Sequence, residues 1–180
     1  CFLRHLPQAA ALETWAAARP HLGDIAGIGL DSSEVGFPPE RFAEVYALAR
    51  AAGLHLVAHA GEEGPADNIA TSLDLLQVER IDHGVAAATD PNLVERLARD
   101  RIPLTMCPLS NERLQVTPDL GGHPLKALLD AGVRVTVNSD DPAYFGGYLV
   151  DNYLAIAQAL GLSRDDLRRL AENSLAARFA

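Results

Sequence analysis

Three short polar signatures carry the residue types of a hydrolytic metal site, and each stands where an apolar run ends. They are His59-Ala60-Gly61-Glu62, Asp82-His83-Gly84 and Ser139-Asp140-Asp141-Pro142. A neutral imidazole suits a zinc ion, and a carboxylic acid with a raised pKa suits proton donation to a ring nitrogen. His83 would orient or deprotonate a metal-activated water, with a nearby carboxylate fixing its tautomer. Gly61 lets the backbone approach a ligand closely, which sets Glu62 over the mouth of the site. Adjacent carboxylates such as Asp140 and Asp141 repel each other unless a cation or a proton relieves them. On extended backbone they also diverge, so one can hold a metal while the other faces a substrate. Each cluster alone has an ordinary alternative: a structural histidine, a solvated Glu62-Glu63 pair, a polar Asp-Pro turn. Their recurrence at successive strand ends favours metal-assisted hydrolysis.

Two further segments are weaker. Leu30-Asp31-Ser32-Ser33-Glu34 follows another apolar run and can line a polar pocket. In Cys107-Pro108-Leu109-Ser110-Asn111, the cysteine reads as a small buried packing residue, because no partner for nucleophilic catalysis stands beside it. His5 ends the first run and can edge the site, whereas His21, His55 and His123 read as structural or surface residues.

The elements that must position these groups follow from hydropathy. Strand-like runs recur over residues 1–6, 25–30, 54–60, 80–84, 102–107 and 133–138, at a spacing of roughly 25 to 30 residues, the size of a βα unit. Most are near-continuously apolar, as expected of parallel strands covered on both faces. Helices fill the gaps: one opens at Pro38-Pro39-Glu40 and carries Phe42, Val45, Leu48 and Ala49, and another has Asp90 as N-cap with Pro91 behind it. A third covers residues 124–131 and ends at Gly132, and a last one opens on a capping box at Ser163–Asp166. About six βα units result, in one domain over residues 1–180. A closed (β/α)8 barrel typically takes about 250 residues. The chain is therefore either an open doubly wound sheet or the later part of a barrel. Polar clusters after several different strands favour the α/β barrel, and no glycine-rich loop follows the first strand.

Composition narrows the partners. The net charge of −9, from 15 basic and 24 acidic residues, argues against nucleic-acid or anionic-membrane binding. Two cysteines are too few for a disulfide framework and suit the cytoplasm. No apolar run approaches the ~20 residues of a membrane helix. The chain opens Cys1-Phe2-Leu3-Arg4 without an initiator methionine, so an N-terminal truncation is expected.

With His-Ala-Gly-Glu, Asp-His-Gly, Cys-Pro-Leu-Ser-Asn and Ser-Asp-Asp-Pro assembled, the chain resembles the adenosine/adenine deaminase family of zinc-dependent (β/α)8 barrels. The likeness runs from Cys1-Phe2-Leu3-Arg4-His5 to Asn173-Ser174-Leu175. The other zinc deaminase class pairs His-x-Glu with Pro-Cys-x-x-Cys, and neither piece occurs here. The resemblance implies one zinc per subunit with His59 and Asp140 as ligands. It implies Glu62 as proton donor to a purine ring nitrogen, His83 as the residue assisting the zinc water, and Asp141 as hydrogen-bond partner of another ring nitrogen. Adenosine-type members usually carry Gly before the His and a Gly-Asp-Glu loop. Here Asp82 precedes His83 and Asp31-Ser32-Ser33-Glu34 occupies the loop, a pattern similar to the adenine deaminase branch. The expected reaction is deamination of adenine to hypoxanthine and ammonia in purine salvage. The alternatives are an adenosine or other aminopurine deaminase, or a non-catalytic purine-binding barrel fragment. Ser33 and Glu34 would bind substrate, Glu34 by accepting the ring N–H that free adenine has and a nucleoside lacks. Glu34→Gln would then cost activity on adenine selectively. The family's first strand normally carries His-x-His, and no such pair occurs in this sequence. Two further histidine ligands are therefore expected upstream, and the unpaired edges of an unclosed barrel would invite association, for instance into a homo-oligomer, or instability.

Overall fold

A computed structural model describes residues 1–179. Its strands are β1 (Phe2–Leu3), β2 (Gly27–Ile28), β3 (Leu30–Asp31), β4 (His55–Ala60), β5 (Arg80–His83), β6 (Pro103–Met106) and β7 (Arg134–Val137). All pairings are parallel. β2 and β3 are one extended segment interrupted at Gly29: β3 pairs back to β1 and β2 pairs forward to β4. A Cβ on Gly27 would stand 2.6 Å from the His55 carbonyl oxygen, so only glycine lets these backbones approach. From there every strand pairs with its successor, in the order β2-β4-β5-β6-β7. A doubly wound sheet reverses its strand order at a switch point, and no reversal occurs here. The sheet is the wall of a barrel.

The register sets the site. His59 lies beside Asp82, Asp82 beside Thr105, and Thr105 beside Thr136. One polar row therefore crosses four strands near their C-terminal ends, on a single face.

The expectation that both faces are covered is corrected along β4. Leu56, Ala58 and Ala60 are buried, whereas His55, Val57 and His59 between them are only half-buried. The outer face packs under helices. The concave face has no opposing strands among the described residues, so the alternation of a half-covered sheet appears.

The helices follow their sequence signals. Pro39–Phe42 forms a 3-10 turn leading into α1 of the outer layer, Ala43–Ala51, which buries Val45, Tyr46 and Ala49. Leu48, expected on that face, is 41% exposed. Pro91–Asp100 forms α2, whose cap Asp90 accepts from the backbone N–H groups of Asn92 and Leu93. Asp90→Ala should lower stability by about 1 kcal/mol in urea denaturation, the ordinary worth of an N-cap. A value near zero would mean water satisfies those amides equally well. The last helix, α3 (Arg164–Ala176), has the expected Ser163/Asp166 capping box and covers the free edge of β7, where Asn173 Nδ2 donates to the Val135 carbonyl at 2.9 Å. No described helix is long and apolar enough to cross a membrane.

Candidate active site

Four strand ends converge on one cavity of about 340 Å³, lined among others by His59, Asp82, His83, Cys107, Asn138 and Asp140. β4 delivers His59 and turns sharply at Gly61, whose φ of +66° favours glycine. A Cβ there would also press on Ile69 at 2.5 Å. β5 ends at His83 with φ +63°, a costly conformation for a side chain bearing a Cβ. Asp140 takes φ +54° just past β7, and Ser110 Oγ donates to its Oδ2 at 2.6 Å.

Glu62 and His83 form the chemical centre of this arrangement. Glu62 Oε1 lies 3.3 Å from His83 Nδ1. Burial raises the Glu62 pKa to about 8, helped by the charges of Asp140, Glu63 and Glu34. Burial likewise pushes His83 down to about 3, with His59 adding to the effect. At neutral pH both groups are uncharged, so their contact is one between neutral groups and not an ion pair. A carboxylic acid retained at pH 7 beside a polar cavity is a proton donor by chemistry.

The donor set fits a divalent metal. His59, Glu62 and His83 have ligand atoms within 4.8 Å of one another, as do His83, Cys107 and Asp140. Imidazole nitrogen and carboxylate oxygen are the donors that zinc takes. His59 Nε2 also lies 3.7 Å from Asp31 Oδ1, a carboxylate able to orient the ring.

The serine-rich loop does something other than its sequence promised. Glu34 is 3% exposed and its carboxylate is already occupied. Oε1 accepts from the Gly61 N–H at 2.8 Å and from Asn68 Nδ2 at 2.8 Å. Oε2 accepts from the backbone N–H groups of Glu62, Glu63 and Gly64 at 3.0, 3.1 and 3.0 Å. Five donors leave no lone pair aimed at a substrate, so Glu34 clamps the turn that carries Glu62. A Cβ on Gly64 would stand 2.6 Å from that carboxylate. Ser33 is exposed and is not among the residues lining the cavity. Asp141 is exposed at the start of the short helix Pro142–Phe145, next to Asp140 and open to a ligand.

Sequence reasoning passed over several residues. Arg4 is fully buried and donates to the Phe37 carbonyl and, through Nη1 at 2.8 Å, to the carbonyl of His59 itself. Asn111 reaches both His83 and Glu62, and His123, read as structural or surface, stands behind it. The one available signal was the position of Ser110 and Asn111 directly after a strand. Cys107 matches its reading: it is buried, and burial drives its thiol pKa far up. An aromatic disulfide reagent should therefore titrate one thiol rapidly in the native protein, Cys1, and the second only after unfolding. Two fast thiols would contradict the burial.

Known proteins resemble this arrangement throughout. The family model described as "Adenosine deaminase" matches residues 1–180. An adenine deaminase of Cupriavidus necator is 60% identical over 179 residues, which is 99% of this chain and 51% of that protein. The crystal structure of an adenine deaminase from Arthrobacter aurescens superimposes with a TM-score of 0.96 at 49% identity, over 99% of this chain and 55% of the other. An amidohydrolase from Burkholderia ambifaria, solved with bound Zn, gives 0.93 at 31% identity, over 99% and 50%. The chain thus spans about half the length of the curated relatives it matches.

Proposed function

The chain belongs to the adenosine deaminase family, and on that premise we propose that it serves the zinc-dependent hydrolytic deamination of adenine to hypoxanthine and ammonia. The observation that carries this reading is the neutral Glu62–His83 pair, of which His83 lines the same cavity as His59 and Asp140. His59 and Asp140 would hold the ion. A zinc ion, when bound, supplies a water acidified to a pKa of about 7. Catalytic zinc sites generally use three protein ligands, so the remaining donors, histidines by family resemblance, would lie beyond the residues of this sequence.

The chain's own residues do the rest. Glu62, protonated at neutral pH, gives its proton to the ring nitrogen beside the amino-bearing carbon, which makes that carbon electrophilic. His83 assists the attacking water. Asp141 accepts or shares a hydrogen bond with a second ring nitrogen and so fixes the plane of the purine. The tetrahedral carbon then expels its amino group as ammonia with the proton that the attacking water gave up, and the remaining hydroxyl proton returns to Glu62 as the carbonyl forms. Adenine is favoured over adenosine by the relatives named adenine deaminase at about 60% identity and by Asp82 before His83. A small purine, cytoplasmic salvage and self-association into a homo-oligomer complete the proposal.

The test is ammonia release from adenine and adenosine side by side on the intact gene product, with zinc measured in the same sample. Near-stoichiometric zinc with adenine preferred is the expected result. Zinc without ammonia from either purine would leave a binding protein in place of an enzyme.

A further inference from the structure

The position of the proton on His83 can be traced from a group whose hydrogen has no choice. The backbone N–H of Leu125 donates to His123 Nδ1 at 3.2 Å, and a main-chain amide can only donate. His123 is 3% exposed, and burial lowers its pKa to about 4. Near neutral pH its ring therefore carries one proton, on Nε2. That nitrogen lies 3.3 Å from Asn111 Oδ1 and donates to it. The Asn111 amide is thereby oriented, with Oδ1 toward His123 and Nδ2 toward the site. Nδ2 stands 3.2 Å from His83 Nδ1. An amide nitrogen offers hydrogens only, so His83 Nδ1 must present its lone pair. The second Nδ2 hydrogen serves Glu62 Oε1 through a longer contact of 3.5 Å. All three linking side chains, His83, Asn111 and His123, are buried, so water does not compete for these bonds.

We propose that Asn111, held by His123 and the Leu125 amide, is a positioning residue that locks His83 in the Nε2–H tautomer. His83 then orients the attacking water as a hydrogen-bond donor and does not remove its proton. Sequence reasoning left both roles open; the relay selects the first. The second clause rests on the deaminase reading, whereas the tautomer does not. The competing partner is Glu62 Oε1, 3.3 Å from the same Nδ1: were it to act as acceptor there, the proton would move to Nδ1. The relay opposes this, because an Nδ1–H would confront the hydrogen on Asn111 Nδ2.

Protein labelled with 15N-histidine, with His83 assigned by its disappearance in His83→Gln, reads the tautomer directly. The expected wild-type spectrum has a protonated Nε2 and a bare Nδ1. In Asn111→Asp the new carboxylate accepts, so the proton should move to Nδ1. His123→Gln, whose amide can still donate to Asn111, should keep the original tautomer, and His123→Leu should give a mixture. An Nδ1–H in the wild-type protein overturns the proposal even if every variant fails to fold. An unchanged tautomer in folded Asn111→Asp overturns it too. In active enzyme, Asn111→Asp should cut kcat about 10- to 100-fold, the usual worth of an orienting partner, with little change in KM. Equal losses in kcat and KM count against positioning. A locked tautomer in a protein that releases no ammonia would reject the deaminase reading and leave the lock standing.

Discussion

Glu62→Gln should retain metal and lose about three orders of magnitude in kcat, within the range that general acid catalysis contributes. The substitution preserves shape. Its amide can still accept from Asn111 Nδ2 and lie against His83, so the turn and the cavity should persist. It cannot deliver a carboxylic proton, and without that proton the purine ring does not accept the electrons that attack at carbon pushes into it. The pH profile gives a second readout. The Glu62 carboxyl is held protonated to about pH 8, so wild-type kcat/KM should fall on the alkaline side as this proton leaves, and the variant should lack that limb. Stability carries the same sign. The native pKa lies above the unfolded value of 4.5, so the group's favourable contribution is complete below about pH 4.5 and is lost as pH rises toward 8. The variant should therefore lose less stability than wild type over that interval. Kinetic constants and zinc content measured on the same preparations decide the matter, and residual turnover within tenfold of wild type would remove Glu62 as the donor.

What the sequence made legible was whatever depends on local order. The strand runs are readable because a buried strand needs consecutive apolar residues, and the polar clusters stand out because each interrupts such a run at its C-terminal end. His59, His83 and Asp140 reach one cavity for that reason: the parallel register brings successive strand ends together. Relations between distant segments were not legible. His123 looks like any loop histidine until the fold sets it 3.3 Å from Asn111. Arg4 looks like a surface cation until β1 carries it beneath the His59 carbonyl. The β4 alternation was also hidden, because Val57 stands between two histidines whose own exposure depends on what faces them across the barrel.

Glu34 is the sharpest instance, and it yields the second large prediction. A loop carboxylate among serines reads naturally as a substrate acceptor. In the fold it accepts four consecutive backbone N–H groups, from Gly61 to Gly64, and the Asn68 amide. Glu34→Ala strips partners from a partly buried turn, and leaving buried donors unsatisfied costs about 1–3 kcal/mol each before water and relaxation compensate. A net loss near 3 kcal/mol is expected, within the range of broken buried networks. Glu62 rides on that turn, and displacing a catalytic group by an ångström costs on the order of 100-fold in rate. Activity should therefore fall on adenine and adenosine by the same factor. Glu34→Gln should be intermediate, because a turned amide oxygen can serve the three amides of residues 62–64 while the Gly61 N–H is left facing an NH2 group. Melting temperatures and paired kcat/KM values on the two purines separate the roles. A clamp loses stability and both activities together. A substrate acceptor would lose adenine turnover alone, in a protein that melts where wild type does, and that outcome would return Glu34 to the substrate.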